Sequence, residues 1–250
     1  YKHKDHTTRI SYSGAYRAPH FSELFSDGVH HGTNRYEIGD QNLSVEKSNQ
    51  IDFKHQWSND HFGIVLNPFY QNITNFISIN PTDSFSSSYR VYNYIQYDLV
   101  EIKGVELNLH YHPHILHNFH VEQSYSFLTT ENKDDSYGLA LVPANSIKTK
   151  LLLDLTEYDR ISKLKINNIS LYHIHKFEQN DFAEYEELTE SYDLINLKLG
   201  GKLNNKLEYS FLINNVLNEE YTPHISRLRG VAAGVPHPGR SFSLNFKYVF

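Results

Sequence analysis

Histidine is the residue type in this sequence best suited to chemistry, with 16 in 250 residues. The segment Asp27-Gly28-Val29-His30-His31-Gly32, with Glu37 close behind, gathers imidazole and carboxylate groups in one irregular stretch. Neutral imidazole and carboxylate are the donors that suit Zn²⁺ and related ions. Adjacent histidines cannot share a face on a strand, but they can in a turn flanked by glycine. A second irregular stretch, near the end of the chain, adds His224 and His237, and converging loops could bring them to the first. Asp27, His30, His31, Glu37, His224 and His237 are therefore the candidate metal ligands. The competing reading is solvated loop histidines, because no C-x₂-C or H-E-x-x-H spacing accompanies them.

A second set of groups lies on strand-like segments: Glu106, His110, His120, Glu122, Lys148 and Lys150. These would line a wet interior and meet either a solute or another part of the protein. Asp134-Asp135 and the run Glu184, Glu186, Glu187 read as solvated acidic charge. Arg17 and Glu46 bracket the first irregular stretch and are placed to pair across its base. Neither a G-x-S-x-G nor a zinc-protease helix motif is present. Asp27 with His30 is a pair that imitates a hydrolytic Asp–His arrangement. Cysteine is absent, which removes disulfides, thiolate metal sites and cysteine nucleophiles. The net charge of −6 gives no basic footprint for nucleic acid.

The elements that must position these groups read as β-strands. In Gly239–Phe250, the residues Phe242, Leu244, Phe246, Tyr248 and Phe250 alternate with Ser241, Ser243, Asn245 and Lys247, so a strand here has one apolar and one polar face. The same alternation recurs at Val105, Leu107, Leu109 and Tyr111, at Phe119, Val121, Tyr125 and Phe127, at Leu151, Leu153 and Leu155, and at Leu207, Tyr209, Phe211 and Ile213. Leu164, Ile166, Tyr172 and Ile174 form one face of a less regular strand. About ten strands result, and their connections alternate between short and long. Short turns are expected near Asn59, Pro113, Glu157-Tyr158-Asp159 and Asn204-Asn205. Long irregular loops are expected at Pro19–Glu46, Pro81–Ser88, Asp134, Gln179 and Gly234.

No run of about 18 apolar residues exists, so no transmembrane helix is expected. A membrane-spanning form would have to be a β-barrel, the other structure that satisfies every backbone group in lipid. A soluble barrel with its apolar side chains inside shares the alternation. It would put Glu106, Glu122, Lys148, Lys150, Asp154, Lys198 and Glu208 on one face, and that face carries more ions than a dry core accepts.

Several segments carry a family resemblance. Tyr16-Arg17-Ala18-Pro19 followed by Glu23-Leu24-Phe25, Gly39-Asp40-Gln41-Asn42-Leu43-Ser44-Val45-Glu46-Lys47-Ser48, Ile102-Lys103-Gly104-Val105-Glu106, Asn214–Tyr221 and Pro238-Gly239-Arg240 follow in order along nearly the whole chain. Together they resemble the C-terminal half of TonB-dependent outer-membrane receptors. The second segment lacks the two prolines of that family's pattern. The resemblance implies an all-β fold, an antiparallel transmembrane β-barrel. Residues 1–250 would be its last ten or so strands, within a plugged barrel of about 22 strands. The plug and N-terminal strands would lie outside the chain.

It further implies a non-enzymatic receptor in the cell outer membrane of a Gram-negative bacterium, taking up a scarce nutrient with TonB energy. The segment from Ser26 to Gly39 is similar to a subset linked to zinc uptake, so the expected ligand is a metal ion or a zinc or iron chelate, with no resident cofactor. Implied partners are outer-membrane lipid, the TonB complex through the plug region, and the barrel assembly machinery, which would read Phe242, Leu244, Phe246, Tyr248 and Phe250. The alternative is a complete ten-stranded barrel acting as a surface protease or passive porin.

Overall fold

The computed structural model describes residues 1–134, 136–156, 164–203, 206–229 and 234–248. Its elements are β1 (Lys2–His3), β2 (His6–Arg17), α1 (Phe21–Phe25), β3 (Asp27–His30), β4 (Arg35–Ile38), β5 (Glu46–Ser58), β6 (Phe62–Ser86), β7 (Tyr89–Tyr111), β8 (Phe119–Asn132), β9 (Ser146–Asp154), β10 (Leu164–Lys176), β11 (Tyr192–Leu203), β12 (Leu207–Asn214) and β13 (Ser241–Tyr248). Ten of these, β2 and β5 to β13, follow one another as an antiparallel meander. The sequence order is the spatial order, as expected when each strand is joined to the next by a turn or loop.

The register lines up the apolar alternation of every strand. Ile10 faces Phe53, Ile64 faces Leu109, Leu107 faces Tyr125, Val121 faces Leu151, Leu171 faces Leu197, and Phe211 faces Leu244. This face is apolar yet exposed: Ile10 is 70% and Tyr12 72% accessible. An apolar band that large is unfavourable in water and suits lipid. The opposite face is polar. There Lys150 Nζ donates to Glu122 Oε1 at 2.9 Å, and Ser124 Oγ donates to Asn108 at 2.7 Å. Gly104 sits where a Cβ would meet Phe69 Cζ at 2.4 Å. The aromatic ring covers the bare backbone of its cross-strand partner, which accounts for a glycine in the middle of β7.

Three expectations change. The stretch Pro19–Glu46 is not irregular: it holds α1, β3 and β4, and β4 pairs in parallel with β7 from Tyr36–Val91 to Ile38–Asn93. Pro81–Ser88 is mostly not a loop either. β6 continues to Ser86 and turns at Ser87, whose φ is 58°, directly into β7. Both faces of this ribbon are clear of lipid, so it needs no apolar alternation. At about 3.3 Å per residue, the 25 residues of β6 far exceed the roughly 25 Å apolar band of a membrane barrel. In β10, the register shifts between Ile166 and Asn168. That bulge moves the outward set to Ile169 and Leu171. Tyr172 and Ile174 turn to the polar side, where Lys148 Nζ lies 5.1 Å from the Tyr172 ring.

β12 and β13 pair along their full length, and Phe242, Leu244, Phe246 and Tyr248 share the exposed apolar face. Phe250, Asp135, the turn at Glu157-Tyr158-Asp159 and the turn at Asn204-Asn205 lie outside the described residues. Among the described residues β2 and β13 are the sheet's two edges, β2 carrying only the short β1 on its outer side. A closed ten-stranded barrel would pair them.

Candidate functional site

The long-loop end is built on α1 and the β3–β4 hairpin. The His20 side chain accepts from the Ser22 backbone N–H, while Glu23 accepts from the His20 backbone N–H at 2.6 Å, so a capping box closes the N-terminus of this single turn. Glu23 also takes two hydrogen bonds from Arg17 Nη1, at 2.8 and 2.9 Å. Arg17 Nε bonds Glu46, the pairing expected across the base of this segment. Gly39 lets its backbone approach α1, where a Cβ would meet Glu23 O at 2.7 Å, and its N–H donates to Ser26 O at 2.7 Å.

β4 inserts two charges into the interior. Arg35 is 3% and Glu37 5% exposed, and Arg35 Nε donates to Glu37 Oε1 at 2.7 Å. Tyr94 on β7 donates to the other carboxylate oxygen at 3.2 Å. The Arg35 guanidinium lies 4.7 Å from the Tyr92 ring. Each charge is thus neutralised where water is excluded, as a buried ion pair requires.

A second knot joins the loops 133–145, 177–191 and 215–240. Arg229 bonds Thr189 Oγ1 and donates to His224 Nδ1 at 2.7 Å. With Nδ1 accepting, the His224 proton is assigned to Nε2, which stands 3.5 Å from Glu186 Oε2. Glu186 in turn accepts from the backbone N–H groups of Leu141 and Ala183. Arg229 also donates to Glu187 O and Leu188 O, and burial holds its guanidinium below the ordinary arginine value. Beneath these loops Leu139 and Val142 pack on Tyr97 and Val100, the buried cluster of the described chain.

The candidate ligands therefore have these positions. Asp27, at the start of β3, accepts from Tyr36 Oη at 2.7 Å. His30 and His31 are exposed at the hairpin tip, and His30 Nδ1 pairs with Thr33 Oγ1 at 3.0 Å. Glu37 is consumed by Arg35 and Tyr94, and His224 Nδ1 by Thr189 and Arg229, while His224 Nε2 is buried without a hydrogen bond. His237 stacks on Tyr221 with ring centres 5.1 Å apart, and its Nδ1 pairs with the Tyr221 hydroxyl. No three of these six bring ligand atoms within 4.8 Å of one another.

Two trios that do so lie at the opposite, short-turn end: His61, His112 and His117, and His110, His112 and His120. His61 sits in the turn between β5 and β6. The others lie around the turn between β7 and β8. The adjacent strands β6 and β7 place them together, and the His112 N–H donates to His61 O at 3.0 Å. Burial first, then His120, His61, His110 and His117, hold the His112 imidazole below its ordinary pKa. The sequence signal is the run His110-x-His112-x-His114-x₂-His117-x₂-His120. Of these, alternation puts His110, His112 and His120 on the polar face, and leaves His114 and His117 in the turn.

Residues 1–216 match the family model described as TonB dependent receptor-like, beta-barrel. Among solved structures the chain is similar to the copper transporter OprC, with TM-score 0.80 and 19% identity, over 98% of this chain and 37% of that one. It is similar to the siderophore receptor PirA from Acinetobacter baumannii, with TM-score 0.68 and 15% identity, over 98% of this chain and 39% of that one. It is also similar to the FrpB iron transporter from Neisseria meningitidis (F3-3 variant), with TM-score 0.67 and 17% identity, over 98% and 37%. The chain thus spans well under half the length of these structures, and at such identities the likeness is one of fold.

Proposed function

The chain belongs to the TonB-dependent receptor β-barrel family, outer-membrane barrels of Gram-negative bacteria whose members are transporters rather than enzymes, and from that premise we propose that it supplies the C-terminal ten strands of a receptor for energised uptake of a metal ion or metal chelate. The observation that carries this reading is the family match over residues 1–216. The metal or chelate as ligand is supported by the copper, siderophore and iron names of the similar structures. Zinc and a ferric siderophore are the two candidates.

In this reading the long-loop end faces outward and captures the ligand. The buried Arg35–Glu37–Tyr94 and Glu186–His224–Arg229 networks hold the loops in shape, and the exposed Asp27, His30, His31 and the edge of His237 offer donors to it. The exposed band of Ile10, Tyr12, Phe246 and their neighbours meets lipid. Phe242, Leu244, Phe246, Tyr248 and Phe250 are read by the barrel assembly machinery. Further strands pair with the edges of β2 and β13, and a plug elsewhere in the longer protein couples release to TonB.

The test is uptake of radiolabelled zinc and of a labelled ferric siderophore by cells expressing the full-length receptor, with and without TonB. One of the two should enter only with TonB. Uptake that ignores TonB, or entry of neither, overturns the transport reading. His30→Ala combined with His31→Ala should lower that uptake about tenfold or more. Undiminished uptake removes these two residues from the capture site.

A further inference from the structure

We propose that the two neighbouring short turns 59–61 and 112–118 form a binding site for a divalent transition-metal ion of borderline softness, Zn²⁺ or Cu²⁺, with His61, His112 and His117 as its ligands. The donors are three imidazoles, whose nitrogens can lie within 4.8 Å of one another. An all-nitrogen set of this kind selects Zn²⁺ or Cu²⁺ over Mg²⁺ and Ca²⁺, which take oxygen. Three protein ligands leave a fourth position open for water or an exchanging ligand. His114 stands beside it, its ring centre 4.4 Å from that of His61 and 5.4 Å from that of His117.

A second observation points to a missing partner. His61 Nδ1 and His112 Nδ1 are both buried and make no hydrogen bond. Buried polar nitrogens are ordinarily satisfied, and a metal ion would satisfy these. The other trio is less suited, because His110 Nε2 and His120 Nδ1 already pair with each other at 3.1 Å. The site is pre-organised by backbone rather than by loop closure. Phe62 pairs with Tyr111, and the His112 N–H donates to His61 O. Beside it the polar face of β5 to β8 carries a recess of about 390 Å³ lined by Gln56, Ser58, Asn108, His110 and Glu122. The site stands at the end opposite the outer loops and does not depend on which ligand they capture.

The experiment is zinc titration of the purified, chelator-stripped full-length receptor in detergent, followed by calorimetry and by metal analysis after dialysis. His117→Gln is the primary variant, since His117 is an exposed turn residue and its replacement leaves the strands intact. It should weaken one bound zinc by about 100-fold or more. His112→Asn should do the same, with heat-modifiable gel mobility confirming a folded barrel. Wild-type receptor without bound zinc, or zinc affinity unchanged in His117→Gln, would each overturn the site.

Discussion

The two ends of this sheet hold similar side chains among different neighbours. At the long-loop end the ionisable groups are bonded to one another, although Arg35 Nη2 and His224 Nε2 are buried without a hydrogen bond. Glu37 is closed by Arg35 and Tyr94, and His224 is held by Thr189 and Arg229. At the short-turn end imidazoles are crowded together with buried nitrogens left unpartnered at His61 and His112. A carboxylate or histidine bonded to partners of another kind is holding a loop in shape. An imidazole crowded among other imidazoles can share an ion with them. The same residue types thus serve architecture at one end and binding at the other, and the kind of neighbour separates the two: guanidinium, hydroxyl and carboxylate around Glu37 and His224, other imidazoles around His61 and His112.

That contrast can be broken in order of expected effect. Glu37→Ala leaves Arg35 buried and unpaired, which should cost the outer hairpin about 3–5 kcal/mol. Hydrogen exchange should rise across residues 27–38 while zinc binding at the short turns stays unchanged. His224→Ala removes the acceptor that Arg229 meets and should loosen the second loop knot by about 2 kcal/mol. Limited proteolysis should then cut within 177–191 sooner than in wild type. Glu23→Ala removes a cap and both contacts to Arg17 Nη1, and about 1 kcal/mol of local stability should go with it, read as faster exchange in α1. His117→Gln reverses the pattern: its effect on stability should stay within about 0.5 kcal/mol, while its effect on zinc is large. If outer-loop changes altered zinc at the short turns, or His117→Gln unfolded the barrel, the division between the two ends would not hold.

The strands were legible because lipid on one side and water on the other force a period of two, and Phe242, Leu244 and Phe246 or Leu107 and Leu109 display it openly. The same logic fails wherever lipid is absent. The ribbon through Pro81 to Ser86 carries polar residues on both faces, so its continuation as β6 could not be read from alternation. β4 was hidden because its partner, Val91–Asn93 on β7, lies some fifty residues away and pairs in parallel. The bulge after Ile166 shifted the face of Tyr172 with no glycine or proline in β10 to mark it; the glycines that accommodate it, Gly200 and Gly201, lie opposite on β11. At the outer end, the sequence shows that His30, His31 and Glu37 are close in the chain, but not that Arg35 claims Glu37. The histidine trio is hidden in the sequence for a related reason. His61 enters it only through the register Phe62–Tyr111, and proximity across strands is set by pairing rather than by spacing.

The claim beneath the comparison is that the two ends face opposite sides of the outer membrane. This can be measured with single cysteines introduced in the full-length receptor, at His31→Cys on the hairpin tip and at Ile115→Cys in the β7–β8 turn, where Ile115 is 93% exposed. Intact cells are treated with a membrane-impermeant maleimide. The account predicts labelling at position 31 in intact cells, and at position 115 only after the outer membrane is permeabilised. Labelling of position 115 from outside, with position 31 protected until permeabilisation, would contradict it.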